Sequence, residues 1–141
     1  MHGMRRRPLL IAAIALALGT TFAEAQTSSP PRSVWDSAYT AAQATNGETA
    51  FRYGCANCHA TVQFTGPSFL GAWEGGTAYE LFELIKNQMP FDNPASLPRE
   101  QYRDILAYLF KLNGFPAGNR PLPDQPDELK QIRIHAKPES E

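Results

Sequence analysis

The spacing of apolar and polar residues predicts three helices in the middle of the chain. A capping box that begins at Thr40 predicts a first helix over residues 41–53, and a second box at Thr77 predicts a helix over residues 78–87. Residues 98–112 predict a third helix, because apolar side chains recur on one of its faces. Its buried stripe consists of Tyr102, Ile105, Leu109 and Leu112.

Glycine and proline dominate the remaining segments. Residues 60–76 and 116–141 are therefore predicted as loops, and no strand pattern of useful length is found. Gly47 lies inside the first helix, where glycine costs roughly 1 kcal/mol relative to alanine. That cost predicts a close approach by another element. The fold class is all-α, with about three main helices and long loops.

The N-terminus has the features of a secretory signal peptide over residues 1–25. Three arginines, Arg5–Arg7, precede the ten-residue apolar stretch Leu9–Leu18, and small residues precede a cleavage point before Gln26. An uncleaved anchor is the alternative, but ten apolar residues are too few to span a bilayer. We therefore expect export to the periplasm, without stable membrane insertion after cleavage.

The rest of the chain is predicted to have three parts. Residues 26–33 form a mobile N-terminal leader, residues 34–118 form the folded domain, and residues 119–141 form a Pro-rich C-terminal extension. The 141 residues carry 13 Lys+Arg and 14 Asp+Glu, a formal net charge of −1. Without a basic excess, a nucleic-acid partner is excluded.

The strongest chemical signal is Cys55-Ala56-Asn57-Cys58-His59. C-x-x-C-H is the attachment sequence for c-type haem. Two thiols about one helical turn apart can form thioethers with the porphyrin vinyl groups, and His59 can then reach the iron. A disulfide here would close too small a loop to stabilise much, and a structural zinc site needs four ligands. We expect one covalent haem c.

Met89 is the candidate for the second axial ligand of the iron. It is the only methionine left after removal of residues 1–25. The alternatives are that Met89 fills the core or that His135 is the sixth ligand. Two axial ligands saturate the iron, which favours one-electron transfer over oxygen chemistry. The protein would then not be an enzyme by itself.

Residues 34–118 resemble the class I c-type cytochromes. The resemblance lies in Gly47-x3-Phe51-x3-Cys55 and in Ile105-Leu106-Ala107-Tyr108-Leu109. It implies a cytochrome c fold wrapped around one haem, with two helices crossing at Gly47. It also implies that Met89 is the axial ligand, and that the Pro67 carbonyl accepts a hydrogen bond from His59 Nδ1–H. For Trp73 it implies either a haem-propionate contact or simple packing.

A finer resemblance is to small periplasmic cytochromes that accompany, or are fused to, PQQ-dependent quinoprotein dehydrogenases. It lies in Ser33-Val34-Trp35-Asp36, Gln88-Met89-Pro90 and Asn113-Gly114-Phe115-Pro116. The implied partners are a quinoprotein dehydrogenase and a terminal oxidase or other electron acceptor. Three functions stay open: a general electron carrier, a dedicated acceptor subunit for an alcohol or sugar dehydrogenase, and a haem sensor or peroxidase with an open iron site.

Overall fold

The computed structural model describes residues 32–138. The predicted signal peptide, residues 26–31 of the predicted leader and residues 139–141 lie outside the described residues. The elements are β1 (Arg32–Ser33), α1 (Ala41–Gly54), a 3-10 helix (Thr61–Phe64), α2 (Gly66–Trp73), α3 (Ala78–Gln88), α4 (Arg99–Leu112), α5 (Pro126–Leu129) and β2 (Ile132–Arg133). No helix within residues 32–138 is both long enough and apolar enough to cross a membrane.

Both predicted capping boxes are present. At the start of α1, the Gln43 N–H donates to Thr40 Oγ1 (3.3 Å) and the Thr40 N–H donates to Gln43 Oε1 (3.1 Å). The Thr77 N–H donates to Glu80 Oε2 (2.7 Å) at the start of α3. These bonds satisfy amide groups that have no partner within the helix. The predicted starts of both helices are confirmed.

Gly47 lies where α1 crosses α4. A Cβ atom built on Gly47 would be 1.7 Å from the carbonyl oxygen of Asp104. Only a residue without a Cβ lets the two backbones come this close. The predicted close approach at Gly47 is confirmed, and the element that makes it is α4.

Gly47→Ala is expected to destabilise the protein, because the new methyl group overlaps the Asp104 carbonyl and must push the helices apart. Overpacking of this kind costs typically about 1–3 kcal/mol. The measurement is the urea midpoint of the exported full chain. Gly71→Ala is the matched control, since a Cβ on this α2 glycine meets nothing within 4 Å. Equal midpoint shifts in the two variants would contradict the steric explanation.

Residues 60–76 are largely helical, and the prediction of a loop is wrong there. The 3-10 helix and α2 occupy most of the segment. Gly66 has a φ of +58°, which separates the two helices, and Pro67 lies in the first turn of α2. Proline is tolerated at that position because N–H groups in the first turn of a helix have no partner within the helix, so the N–H that proline lacks is not needed. The Gly-Pro pair therefore starts a helix.

The N- and C-terminal segments meet in a short parallel ladder. Arg32 pairs with Ile132, and Ser33 pairs with Arg133. Arg32 and Ser33 of the predicted leader thus lie in a strand pair, which was not predicted, within an otherwise helical fold. The mobility of the leader stays a prediction. Two residues per strand are too few to show the alternating pattern by which strands are recognised.

Residues 119–134 pack against the helices and are part of the domain, in contrast to the predicted extension. Leu122, Leu129, Ile132 and Ile134 are at most 1% exposed and belong to the same core as the helices. The buried Gln43 side chain fixes this segment to α1. Its Nε2 donates to the Leu122 carbonyl (3.0 Å), and its Oε1 accepts from the Leu122 N–H (2.8 Å). The predicted boundary at residue 118 is therefore not a limit of the core.

Candidate functional site

An apolar cavity of about 120 Å³ lies among the four longest helices. Apart from Cys55 and His59, its walls are apolar side chains of α1, α2, α3, α4 and the neighbouring turns. They are Phe51, Phe64, Phe69, Trp73, Leu81, Leu84, Ile85, Met89, Ile105 and Leu109. Walls of this kind suit an apolar ligand that is fixed at a few polar or sulfur-bearing points.

A second cavity of about 340 Å³, with more exposed walls, adjoins the first. The two share Cys55, His59 and Met89, and Cys58 lines the second. Phe91, at 88% exposure, also lines this outer cavity. The structure thus brings the two predicted attachment cysteines and the two predicted axial ligands to one place.

The backbone after α1 places Cys55, Cys58 and His59 on a single turn. The Cys55 N–H donates to the Phe51 carbonyl (2.8 Å), which ends the helix. The Cys55 carbonyl then accepts from the N–H groups of Cys58 (3.1 Å) and His59 (2.9 Å). The C-x-x-C-H spacing is therefore held by backbone hydrogen bonds.

Both cysteines are free thiols, Cys55 half-buried and Cys58 exposed. Burial raises the pKa of the Cys55 thiol, and the neighbouring Cys58 raises it further. A raised pKa keeps the thiol protonated at neutral pH. The thiolate is the form that binds metals and exchanges disulfides, and a raised pKa disfavours it.

His59 packs against Phe64, with ring centroids 5.3 Å apart in a T-shaped arrangement. Asn113 holds the backbone beside Phe64. Its Nδ2 donates to the Phe64 carbonyl (2.8 Å), and its Oδ1 accepts from the Gly66 N–H (2.9 Å). The sequence predicts Asn113 only as part of a helix stop, because its partners lie more than forty positions away.

Met89 follows the last residue of α3. Its N–H donates to the Ile85 carbonyl (2.9 Å), and its half-buried side chain lines both cavities. Its carbonyl accepts a hydrogen bond from Tyr102 Oη (2.8 Å). The sequence assigned Tyr102 only to the buried stripe of α4, so its contact with Met89 was not predicted.

The other two predicted site residues, Trp73 and Pro67, differ in burial. Trp73 is half-buried and lines the inner cavity, so it packs there. Its contact with a propionate stays a prediction. Pro67 is exposed in the first turn of α2. Among the described residues no hydrogen bond joins Pro67 to His59, and its orienting role stays a prediction.

His135 does not line either of the two cavities that contain His59. Its carbonyl accepts from the Trp35 indole N–H (2.9 Å), and its ring Nδ1 lies 2.7 Å from the Ala136 carbonyl. Met89 therefore lies at the cavities that contain His59, whereas His135, the alternative for the second axial ligand, does not.

The residues fit a covalently attached haem. Apolar walls suit the macrocycle, two free thiols on one turn suit its two vinyl groups, and an imidazole and a thioether are ligands that haem iron takes. The arrangement is specific, because each of these groups borders the same pair of cavities.

Comparison with known families agrees with this fit. Residues 42–109 match the family described as "Cytochrome C oxidase, cbb3-type, subunit III". The match supports a c-type cytochrome. For such a cytochrome the activity is haem-based electron transfer and the implied cofactor is haem c. The matched segment includes Cys55, Cys58, His59 and Met89. No curated protein and no solved structure matches the chain.

Proposed function

We propose that the protein is a one-electron carrier with a single haem c, bound through thioethers to Cys55 and Cys58. His59 and Met89 would be the axial ligands of the iron. One observation carries the proposal. His59 and Met89 line the same apolar cavity, and the free thiol of Cys55 lies in its wall.

The chain's own residues determine what this site can do. When bound, the haem supplies a reversible one-electron couple. Ligation by both His59 and Met89 would leave no open position for oxygen. The apolar walls would limit the access of water to a bound haem, and together with a thioether ligand they would favour its reduced form. The exposed side chains of Cys58 and Phe91 mark the edge at which a partner would approach.

The proposed location is the periplasm, and the proposed donor is a quinoprotein alcohol or sugar dehydrogenase. The signal-peptide pattern of residues 1–25 supports the location, and the resemblance around Trp35 and Met89 supports the donor. The matching family is described as a subunit of a cbb3-type oxidase, which favours a terminal oxidase as the acceptor. In this role the protein carries electrons and catalyses no reaction by itself.

The direct test is mass spectrometry of the exported protein together with visible spectra in both oxidation states. We expect the mass of the processed chain plus one haem, and a sulfur-to-iron charge-transfer band in the oxidised spectrum. A mass equal to that of the polypeptide alone would refute the proposal. Carbon monoxide binding to the reduced protein at neutral pH would instead favour an open-site sensor or peroxidase.

Met89→Leu is expected to abolish the sulfur-to-iron band and lower the reduction potential, because leucine keeps the volume of the side chain but has no sulfur. Volume-conserving substitutions of this kind usually cost less than about 1.5 kcal/mol. The measurements are the oxidised visible spectrum and a redox titration. Leu84→Met, at another position on the cavity wall, is the control and should leave the band unchanged. An unchanged spectrum in Met89→Leu would show that Met89 only fills the core.

A further inference from the structure

Residues 89–97 lie in the loop between α3 and α4, and the hydroxyl of Tyr102 bonds to the backbone near both ends of this loop. Tyr102, in the first turns of α4, is 1% exposed. Its Oη donates to the Met89 carbonyl (2.8 Å) and accepts from the Leu97 N–H (3.2 Å). Met89 and Leu97 are thus joined through one atom.

The rest of this loop has few contacts that could hold it. Residues 91–96 are exposed. One backbone bond, from the Ala95 N–H to the Lys86 carbonyl (2.9 Å), ties the loop to α3, and another, from the Asn93 N–H to the Pro90 carbonyl (3.0 Å), is internal. Segments with few buried contacts open at a lower free-energy cost than the core. Besides the packing of Met89 and Leu97 against the core, the hydroxyl of Tyr102 is therefore a main contact that keeps this loop closed.

We propose that Tyr102 is a positioning residue that controls how readily Met89 leaves the iron. This inference rests on the proposed axial role of Met89. In this proposal, departure of the Met89 side chain opens the loop, breaks both hydrogen bonds and leaves the buried hydroxyl of Tyr102 without these two partners. A hydrogen bond of this kind changes an equilibrium by a factor of about ten. Tyr102 therefore stabilises the methionine-ligated state against competing ligands.

Tyr39 supplies a matched control. Its Oη donates to the Phe115 carbonyl (2.7 Å), and the side chain is 2% exposed. Tyr39→Phe and Tyr102→Phe thus remove the same group from equally buried positions. Tyr39 lines neither cavity, and its hydroxyl bonds to Phe115, outside residues 89–97. The comparison separates a general loss of stability from an effect on Met89.

The test is a titration of the oxidised full-length holoprotein with imidazole, which competes with Met89 for the iron. The sulfur-to-iron band reports the displacement. We expect imidazole to bind Tyr102→Phe about tenfold more tightly than the wild type, and Tyr39→Phe within about twofold of it. Urea unfolding should show a loss of stability in both variants, because each loses a buried hydroxyl that is hydrogen-bonded. Equal imidazole affinities in the two variants would overturn the role of Tyr102.

A second measurement does not depend on any variant. In the wild type, exchange of the Leu97 amide hydrogen should accelerate about tenfold or more when imidazole displaces Met89, because the loop then opens at both ends. An unchanged exchange rate would overturn the inference. Absence of the sulfur-to-iron band from the wild type would refute the proposed ligation and this inference together. A band that is present with unchanged affinities would refute only the inference.

Discussion

Truncation of the chain after Gly118 is expected to unfold the domain. It removes four side chains that are at most 1% exposed: Leu122, Leu129, Ile132 and Ile134. Each contributes about 1.5–3 kcal/mol by burial, and their sum approaches the whole stability of a typical domain, about 5–15 kcal/mol. Truncation also leaves both polar ends of the buried Gln43 amide without their partner at Leu122. The measurements are circular dichroism and the urea midpoint.

Deletion of residues 136–141 is the control for this truncation. It keeps all four buried side chains and the hydrogen bond from Trp35 Nε1 to the His135 carbonyl. We expect an unchanged urea midpoint and an unchanged visible spectrum. If the chain that ends at Gly118 unfolded at the same midpoint as the full chain, residues 119–134 would be dispensable and the shared core would be refuted.

Replacement of Cys55 and Cys58 together by alanine is expected to abolish covalent haem and most of the folded structure. The inner cavity has apolar walls and a volume of about 120 Å³. At the cost measured for core cavities, an apolar void of this size destabilises a protein by about 3 kcal/mol. Without an attached ligand the walls also lose the apolar contact that would bury them, so a large share of a typical domain's stability of about 5–15 kcal/mol is missing. Mass spectrometry and circular dichroism of the exported variant provide the measurements.

Asn57→Ala is the matched control for the cysteine substitutions. Asn57 lies between the two cysteines in the same turn and is exposed. This variant should keep its haem and its urea midpoint. A double cysteine variant that stays compact and stable would show that the polypeptide builds its core without the cofactor.

The features that the sequence predicted correctly are those that depend on neighbouring residues. The boxes at Thr40 and Thr77 involve residues three positions apart, so the starts of α1 and α3 could be predicted from composition and spacing. Gly47 was informative because glycine is unfavourable inside a helix and needs a steric reason. The haem-attachment motif could be recognised because Cys55, Cys58 and His59 are close in the sequence and a single turn brings them together.

The features that were missed depend on residues far apart in the chain. In the sequence, Tyr102 is one member of the buried stripe of α4. Its hydrogen bond to the Met89 carbonyl becomes visible only when the loop is folded. Leu122 follows prolines that indicate a loop, yet Gln43 of α1 binds its backbone. The Gly66-Pro67 pair is ambiguous in isolation, because the same two residues suit a turn or the start of a helix.

The junction of β1 with β2 has a consequence for the order in which the protein folds. Trp35 and His135, which share a hydrogen bond there, are 100 positions apart. During synthesis, β1 is made about 100 residues before its partner β2. Bringing together such distant segments costs loop entropy and slows folding relative to a bundle of local helices. We expect closure of this junction to be a late and slow step, after the helices have formed.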